Sequence, residues 1–482
     1  MKKYLLKTFG CEMNQVDSEK INMILLQSWF LKSTDYKSAD LVILNTCSVR
    51  KKWEDRVFWF LREIKILNKQ RKKENKNDVI VWITGCMVKK TWMNKKYLTQ
   101  DIERKTPKDI IYLDDKQGIF NNDDKLFLKL KNLDFTLRIE EAKYLNLILS
   151  HIFKQKIWND DKFDDYLKMA QFRENKFSAS VVIQTWCDNF CSFCIVPYTR
   201  GREISREHSE IIEEIKKLAQ NWVKEISLVG QNVNSYGKQK NIKLWNEEKM
   251  SWNAWIWVSP FRALLEDINK IDGIDRIRFT SSNPHDMTWD ILDAHFDLEK
   301  TCNYLHFALQ SGNNEMLKKM NRKHTYEDFK KMVKYLRSKD SYFSVSTDII
   351  VGFSGETDEM FEDTVKAIKE LEIDFVYIAR YSVRPGTLAS KIYPDDIDDE
   401  IKAKRWHILN DVLKQNVLKR WEMMIGIEEE ILISWEKDWQ FYWRTRNFKE
   451  VFFEKKDWVK IGDIVKVKIT WVNGWVLNWK IK

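Results

Sequence analysis

Short apolar runs alternate with charged, helix-patterned stretches over roughly the first 118 residues. The strand candidates are residues 4–8, 41–44 and 79–84, and the stretches 18–27 and 54–67 are typical of helices. Alternation of this kind predicts βαβ units and therefore a parallel sheet. We expect an α/β domain built on a parallel sheet at the N-terminal end.

The same alternation resumes after a stretch rich in lysine and aspartate. We interpret residues 120–172, which carry no motif, as a connector, and from about residue 173 the strand–helix pattern continues to about residue 396. Six strand candidates fall in this part: residues 179–184, 225–228, 276–280, 304–309, 344–351 and 375–378. Six successive strand–helix units predict a full or partial β/α barrel.

The pattern changes once more near the C-terminal end. A basic helical stretch at residues 401–424 is followed, from about residue 428, by short strands with turn signals, which predicts a small all-β barrel of the OB type. Its basic residues are Arg444, Arg446, Lys449, Lys455, Lys456, Lys466, Lys468 and Lys480. Small basic barrels hold RNA backbones, although a solvated surface is the alternative. The expected divisions are residues 1–119, 120–172, 173–405 and 406–482.

Composition and charge narrow the class of protein. Hydrophobic residues make up 44% and charged residues 32% of the chain, and no apolar run approaches the ~18 residues of a membrane span. Lys7 interrupts the only apolar stretch at the start, so we expect a cytoplasmic protein. The net charge of +10 favours a polyanionic partner, or else reflects an AT-rich gene. Seven cysteines in a reducing compartment indicate metal or redox chemistry.

Tryptophan is abundant and glycine scarce. The chain has 22 Trp and 14 Gly, where average usage gives roughly 34 Gly. Asp438-Trp439, Asp457-Trp458 and Asn478-Trp479 interrupt strand-like runs where Asp-Gly or Asn-Gly would make a tight turn. Our hypothesis is that the gene reads UGA as glycine and was translated with UGA as tryptophan. The alternative is a truly Trp-rich surface that stacks on unpaired bases.

The strongest chemical signal is the run Cys187, Cys191 and Cys194, which follows a predicted strand and has Phe193 before its last cysteine. Three thiolates on one loop can hold three irons of a [4Fe–4S] cluster and leave the fourth iron open to a ligand. Zinc is the weaker alternative, because a structural zinc site wants a fourth Cys or His at matched spacing.

Three further cysteines each follow a predicted strand of the N-terminal sheet. They are Cys11, Cys47 and Cys86, and the carboxyl ends of parallel strands share one edge of a sheet. We therefore expect them to converge and hold a second cluster with an open iron. The alternative is three buried core thiols, which is the role we assign to Cys302.

The chain resembles the methylthiotransferases of the radical S-adenosylmethionine (SAM) class over nearly its whole length. The resemblance rests on TFGCEMNQVDSE, NTCSVRKK, TGCMV, CDNFCSFCIVPYTRGREISR, LVGQNVNSYG, LQSGNNEMLKKMNR, TDIIVGFSGET, YSVRPGT and RTRNFKEVFF. Within the class, PYTRGR and GQNVNSYG are similar to the branch that acts on N6-dimethylallyladenosine in tRNA. The family's parts are an N-terminal cluster domain, a radical barrel and a C-terminal RNA-binding barrel called TRAM.

The resemblance implies two [4Fe–4S] clusters and two SAM molecules per turnover. One SAM would methylate a sulfur at the Cys11, Cys47 and Cys86 cluster, and the other would yield a 5′-deoxyadenosyl radical at the second cluster. The product would carry a methylthio group at carbon 2 of the adenosine at tRNA position 37. The implied SAM contacts are Phe193, Gly230, Gln231, Asn232, Gln310, Gly352, Gly355 and Glu356.

The implied partners are a tRNA carrying dimethylallyladenosine and an electron donor such as flavodoxin or ferredoxin, with no membrane and a monomeric chain. Arg200, Arg202 and Arg206 could meet tRNA phosphates, or could be solvated or salt-bridged. Three alternatives stay open: a threonylcarbamoyladenosine substrate, a ribosomal-protein aspartate, or a non-catalytic iron–sulfur RNA-binding protein. The chain departs from the family's glycines at Trp82, Trp186, Trp222, Trp435 and Trp443, and Ser354 stands where proline is usual.

Overall fold

The computed structural model describes most of the chain and divides it into two compact units. The described residues are 1–47, 51–88, 92–93, 111–112, 133–155, 157, 166–169, 171–199, 202–238, 258–437, 440–454, 459–473 and 476–481. The N-terminal unit comprises Met1–Arg173, Cys194–Arg202 and Arg384–Thr387, and the barrel unit comprises Glu174–Phe193, Glu203–Val383 and Leu388–Lys482. Among the described residues, no helix combines the length and the apolar character that crossing a membrane requires.

The N-terminal unit is built on a sheet of seven described strands. They are β1 Lys3–Phe9, β2 Leu31–Lys32, β3 Leu41–Thr46, β4 Ile80–Gly85, β5 Trp92–Met93, β6 Ile111–Tyr112 and β7 Phe135–Thr136. Their order is β2-β1-β3-β4-β7-β5-β6, and every pair is parallel except β5 with β7. The parallel sheet that the sequence predicts is therefore confirmed.

The central strands β3 and β4 are buried along their whole length, and the first two helices of this unit pack against the sheet. The helices are α1 Glu12–Gln27, α2 Lys51–Lys73, α3 Leu145–Phe153 and α4 Val196–Thr199, with 3-10 turns at Ile139–Tyr144 and Tyr166–Lys168. Part of the expected connector belongs to this packing, because β7 pairs with β4 and the Asp134 carboxylate accepts a hydrogen bond from the Val81 amide at 2.9 Å. The connector stretch thus supplies a strand to the sheet.

Six parallel strands form a partial β/α barrel in the barrel unit, as expected. They are β8 Ser178–Val182, β11 Glu225–Val229, β12 Arg276–Phe279, β13 Tyr304–His306, β14 Ser344–Val351 and β15 Phe375–Arg380, and β9 Gln184–Thr185 pairs antiparallel with β10 Ile204–Ser205. The sheets β8-β11-β12 and β13-β14-β15 are joined by parallel bridges from Ile277 to Thr301 and from Ser282 to Phe307. β13 ends earlier than the predicted residue 309, because Gln310 turns into the left-handed region at φ 77°.

Helices cover the outer face of these strands. They are α5 His208–Gln220, α6 Pro260–Asn269, α7 Trp289–Asp297, α8 Asn314–Lys319, α9 Tyr326–Lys339, α10 Asp358–Glu370, α11 Leu388–Ile392 and α12 Asp399–Glu422. Side-chain caps fix several starts: Ser259 accepts from the Arg262 amide, and Thr325 forms a capping box with Asp328. One apolar core fills the space between helices and strands, and it continues into the C-terminal strands through residues such as Ile431 and Val467.

The C-terminal part forms a mainly antiparallel sheet of six described strands. They are β16 Glu428–Leu432, β17 Trp435–Lys437, β18 Gln440–Arg444, β19 Glu450–Glu454, β20 Ile464–Asn473 and β21 Val476–Ile481. The order is β16-β20-β21-β19-β18-β17, with β19 and β21 parallel, and a bridge links Ile431 of β16 to Thr445. We call these strands the C-terminal sheet.

The turns expected at Asp-Trp and Asn-Trp pairs have different outcomes. Asn478 and Trp479 lie inside β21, paired with Trp471 and Ile469 across a bulge in the register, so the prediction of a turn there is wrong. The strand continues because its partner supplies ladder hydrogen bonds on both sides of the pair. The residues Asp438, Trp439, Asp457 and Trp458 lie outside the described residues.

The C-terminal sheet packs on the amino ends of the barrel strands. Arg276 and Arg278, at the start of β12, are almost fully buried and donate to main-chain carbonyls of the sheet. The Arg278 guanidinium reaches the Thr445 and Arg446 carbonyls at 2.7 and 2.9 Å. The Phe448 ring stacks on Tyr304 with 4.2 Å between centroids. The floor of the barrel is therefore supplied by a segment far along the chain.

A buried ionic group joins the same parts. Asp374, just before β15, is fully buried and meets Arg337, Arg420 and Lys449 at 3.0, 3.4 and 3.5 Å. These three cations lower the pKa of the Asp374 carboxyl, and burial works in the opposite direction. The group ties α9, α12 and the residue before β19 to one carboxylate.

Candidate iron–sulfur and cofactor site

The three N-terminal cysteines meet at one edge of the sheet. Cys11 caps α1 just after β1, while Cys47 and Cys86 follow β3 and β4, and the last two are buried. Hydrogen bonds from the protonated Cys47 thiol to the Cys11 and Cys86 sulfurs raise the pKa of Cys47 well above its usual range, and burial adds to the effect. The sequence-based expectation of convergence thus corresponds to direct thiol contacts around Cys47.

Asparagines hold this edge in shape. The Asn14 side chain accepts from the Cys11 thiol at 3.4 Å, and its amide donates to Asn45 at 3.0 Å. Asn45 in turn donates to the Asn14 carbonyl at 2.7 Å. Gly85 precedes Cys86 with φ 89°, and a Cβ there would lie 2.3 Å from the Thr46 carbonyl oxygen, so only glycine fits.

The donor set fits a cluster better than a single metal ion. No group of three His, Cys, Asp or Glu side chains in the described ranges is arranged to chelate one ion. A [4Fe–4S] cluster makes a different demand, because each thiolate binds its own iron rather than sharing one ion with the others. Thiols alone, with no carboxylate or imidazole among them, are the ligands that iron–sulfur clusters use.

The second cysteine loop starts directly after the β9 strand. Cys187, Cys191 and Cys194 are all half-buried. Burial raises the pKa of the Cys187 thiol to about 11. The Asn189 amide donates to the Cys187 sulfur at 3.4 Å, and the Arg322 guanidinium donates to the Cys191 sulfur at 3.3 Å. Two of the three sulfurs therefore accept hydrogen bonds from N–H groups.

The loop is anchored on the short helix α8. The Ser192 hydroxyl donates to the Lys319 carbonyl at 2.9 Å, and the Asn321 amide donates to the Phe190 carbonyl at 2.8 Å. Phe193 packs edge-on against Phe353, with 6.4 Å between ring centroids. The aromatic residue of the cysteine run thus reaches the turn after β14.

The residues after β11 surround the start of the loop. Gly230 lies so close to Gln184 that a Cβ would come within 2.9 Å of its Cγ. The Gln231 side-chain carbonyl accepts from the Trp186 amide. The Asn232 side-chain amide donates to the Asp286 carboxylate at 2.7 Å. The side-chain carbonyl oxygen of Asn232 is buried and has no hydrogen-bond partner among the described residues. That orphaned acceptor is available to an ammonium group.

The residues after β13 and β14 form a second wall. Gln310 is buried, and its side-chain carbonyl oxygen is also without a partner in the structure. Gly352 and Gly355 have φ near 70°, and Gly355 donates to Asp396 at 2.8 Å. Glu356 accepts from the Gly352 amide at 2.6 Å and pairs with Arg405 at 2.9 Å. The Glu356 carboxylate therefore holds the glycine turn.

Three residues near the cysteines escaped the sequence analysis. Asn189 lies inside the cysteine run and Arg322 inside a quoted motif, so spacing alone did not reveal that both reach sulfur. Asp286 accepts from Asn189, Asn232 and Lys238, at 3.4, 2.7 and 2.9 Å. Nothing in the sequence around Asp286 indicates this role, because its partners come from two other loops.

The structure describes two of the three arginines that follow the cysteine run, and they differ in burial. Arg206 is buried and pairs with Glu214 at 2.7 Å, so the salt-bridged alternative holds for it. Arg202 is exposed, and Arg200 lies outside the described residues. Burial raises the pKa of nearby Glu203 to about 7, and its carboxylate accepts from Ser235 at 2.7 Å.

Family models match both parts of this site. Residues 181–368 match the radical SAM superfamily, and residues 3–106 match a family described as uncharacterized protein family UPF0004. The fold and the site thus define a radical SAM enzyme that carries a second, cysteine-bearing domain. Curated relatives extend the match over the whole chain.

Two of these relatives are named tRNA-2-methylthio-N(6)-dimethylallyladenosine synthase. The one from Clostridium novyi (strain NT) is 36% identical over 484 residues, covering 100% of this chain and 96% of the relative. The one from Caldicellulosiruptor saccharolyticus is 37% identical over 436 residues, covering 90% and 82%. The chain belongs to the family of tRNA-2-methylthio-N(6)-dimethylallyladenosine synthases.

A solved structure is also similar in part. It is the radical S-adenosylmethionine methyltransferase TsrM from Kitasatospora setae, 13% identical, with a TM-score of 0.49, covering 81% of this chain and 75% of that one. At this level of similarity it adds nothing to the assignment.

Proposed function

We propose that this protein methylthiolates carbon 2 of N6-dimethylallyladenosine at position 37 of tRNA. The observation that carries the proposal is the meeting of Cys11, Cys47 and Cys86 in a chain that also has the radical SAM cysteine run. One cysteine set is enough to cleave SAM, whereas adding a methylthio group also requires a place to hold sulfur. The relatives' name supplies the substrate.

Each cysteine set would hold one [4Fe–4S] cluster. With SAM bound, the cluster on Cys187, Cys191 and Cys194 would supply the electron that cleaves SAM, and the cluster on Cys11, Cys47 and Cys86 would supply a site for the transferred sulfur. The chain's own task is to hold and shield them. Asn189 and Arg322 stabilise the sulfurs of Cys187 and Cys191 through N–H···S bonds, which are among the factors that set a cluster's reduction potential.

The orphaned acceptors support a place for the amino acid end of SAM. The buried side-chain carbonyl oxygens of Asn232 and Gln310 have no hydrogen-bond partner among the described residues. An unsatisfied buried acceptor costs free energy. An ammonium group would satisfy either of them. Glu356 and Arg405 hold the Gly352 turn, and a Cβ at Gly352 would lie 2.3 Å from the Lys402 Cγ, so the turn requires glycine.

We further propose that the C-terminal sheet is a TRAM-like RNA-binding barrel. Lys466 and Lys468 alternate on the exposed face of β20, and Trp471 beside them is 51% exposed. Cations with an exposed aromatic ring suit a nucleic-acid backbone and its bases. Arg446 and Lys449 do not contribute to this surface, because they bond the barrel.

We also propose the divisions of the chain, its compartment, its oligomeric state and its electron donor. We place the N-terminal cluster domain at residues 1–119, the connector at 120–172, the radical barrel at 173–405 and the linker helix with TRAM at 406–482. We propose a cytoplasmic monomer that receives electrons from a flavodoxin or ferredoxin, and the lack of disulfides among the seven cysteines, all of which lie in described residues, suits a reducing compartment.

The test is anaerobic reconstitution followed by nucleoside analysis. About eight irons per chain are expected from two [4Fe–4S] clusters. Incubation with SAM, reductant and tRNA should give methylthio-dimethylallyladenosine by liquid-chromatography mass spectrometry. The triple variant C11A/C47A/C86A should keep about four irons and form 5′-deoxyadenosine without the modified nucleoside, while Cys302→Ala, a buried thiol outside both sets, should behave as the parent.

Two results would overturn the proposal. A parent protein with about four irons that cleaves SAM but modifies no tRNA would remove the role of the N-terminal cysteines. A methylthio group found only on threonylcarbamoyladenosine or on a ribosomal protein would move the enzyme to another branch.

A further inference from the structure

Polar side chains line the inner face of β13, β14 and β15, away from the cysteines. Leu305, Ile349 and Val376 point outward and belong to the apolar core under the helices. Successive side chains of a strand point to opposite faces. The residues next to them, including His306 and Tyr377, therefore point into the barrel.

Four of these residues form one connected group. The His306 ring contacts the Ser346 hydroxyl at 2.8 Å through Nδ1 and the Asp348 carboxylate at 3.2 Å through Nε2. The rings of His306 and Tyr377 meet edge to face with centroids 5.7 Å apart. We call His306, Ser346, Asp348 and Tyr377 the lumen platform.

Two residues of the lumen platform are buried and two are partly exposed. His306 and Ser346 are buried, whereas Tyr377 and the Asp348 side chain are each 38% exposed. Support comes from the barrel floor, since the Tyr304 hydroxyl contacts Ser346 at 2.7 Å and Phe448 stacks on Tyr304. An exposed aromatic ring beside a carboxylate, both held by buried neighbours, offers a surface on which a planar polar ligand can bind.

The platform lies next to the proposed cofactor residues. The Gln310 amide donates to the Asp348 carbonyl at 2.8 Å, and Gln310 follows His306 by four residues on the same chain segment. Gly352 ends the strand that carries Asp348. A ligand bound to the lumen platform would therefore lie deeper in the barrel than the turns at Gln310 and Gly352.

We propose that Tyr377 and His306 seat the adenine base that is being modified, an inference that rests on the proposed function. Enzymes that act on a base inside RNA take it out of its stack into a pocket. Such a base needs an aromatic face to stack on and polar groups at its edge. Tyr377 offers the face, Asp348 offers an acceptor, and His306 positions both.

The test is the fluorescence of an anticodon stem–loop RNA with 2-aminopurine at the target position, bound to the reconstituted enzyme without reductant. Stacking on an aromatic side chain quenches this base. Tyr377→Phe should keep the quenching, and Tyr377→Leu, which fills the same space without an aromatic face, should lose it and weaken RNA binding roughly tenfold. His306→Ala should reduce the quenching.

The matched control is Tyr326→Ala, on the outer helix α9, which should quench as the parent does. Iron content identifies any variant that fails to fold. If Tyr377→Leu fails to fold, His306→Ala carries the test, and quenching equal to that of the parent in His306→Ala would then contradict the proposal. In activity assays, Tyr377→Leu should raise the KM for RNA, whereas the control Tyr326→Ala should keep the KM of the parent.

Equal quenching in Tyr377→Leu and the parent overturns the proposal, as does a loss of SAM binding that matches the loss of RNA binding, because the platform would then serve the cofactor. Failure of the proposed function is a separate result. It would appear as a parent enzyme that makes no methylthio nucleoside, whatever the fluorescence shows.

Discussion

Three tryptophans take a backbone conformation that glycine adopts without strain. Trp29, Trp186 and Trp222 have φ of 63°, 70° and 68°. Trp29 and Trp222 follow the ends of α1 and α5, where a left-handed glycine is the common ending, and their side chains are 72% and 77% exposed. Their side chains bury too little surface to offset the roughly 1–2 kcal/mol cost of this conformation. The glycine hypothesis is thereby strengthened at these positions.

The double variant W29G/W222G should therefore be more stable than the chain as printed. Each change removes one strained residue, so we expect a gain of about 1–3 kcal/mol in the free energy of unfolding. Urea unfolding measures it. Trp421→Gly is the contrasting variant, because Trp421 is buried in the barrel core and its loss should cost about 3–5 kcal/mol. A double variant that loses stability would show that these tryptophans contribute native contacts.

Glutamate 429 should make stability fall as the pH rises. Burial raises the pKa of Glu429 to about 7, while Lys449 and Arg276 work against the shift. A carboxyl whose folded pKa lies above its unfolded value stabilises fully below the unfolded pKa, and that contribution is lost as the pH rises through the folded pKa. The window therefore runs from about pH 4.5 to about pH 7.

Glu429→Gln should remove this pH dependence. At pH 5 the variant and the parent should unfold at similar urea concentrations, and at pH 8 the variant should be more stable by on the order of 1–3 kcal/mol. Glu203, whose pKa is also raised, titrates in both proteins and cancels in the difference. A constant difference between pH 5 and pH 8 would contradict the assignment.

At the scale of elements, the spacing of apolar residues predicts the long strands, whose formation depends on their own sequence. Ser344–Val351 forms a strand over its full predicted length, because Val345, Ile349 and Val351 enter the apolar core on one face and the strand pairs with β13 and β15. Periodicity does not reveal β7, which has two residues and exists only because β4 offers it an edge. It likewise places the cysteines at strand ends without showing Asn189, Arg322 or Asp286, whose roles depend on loops that meet only in the fold.

The ionic group around Asp374 should stabilise the packing of helices on the barrel. Asp374→Ala would leave Arg337, Arg420 and Lys449 without their shared carboxylate, so we expect a loss of about 3–5 kcal/mol. Asp411→Ala is the matched control, because Asp411 is exposed and pairs only with Lys414 in α12, where the effect should stay within about 0.5 kcal/mol. Thermal unfolding of both variants gives the comparison, and equal losses would contradict the role of burial.

At the scale of the whole molecule, the chain joins parts that the sequence presents as separate. The sequence predicts a barrel followed by a basic β domain, and its pattern gives no sign that the two share a core. The structure places Ile431 and Val467 in the same apolar core as the barrel residues. Basic residues that suggest RNA binding by composition, such as Arg446, instead bond barrel carbonyls. Charge composition cannot distinguish an exposed cation from a buried one.

The barrel floor also bears on how the protein is made. The ribosome releases β8 to β15 well before the segment after Gly426, yet Arg276 and Arg278 find their carbonyl partners only in that last segment. Until it emerges, both guanidiniums lack these carbonyl partners, although Arg278 can still pair with Glu225 of β11, and the lower end of the barrel stays open. Completion of the radical domain is thus a step that follows synthesis of the chain, and fragments that stop short of the last strands are expected to be substrates for proteases.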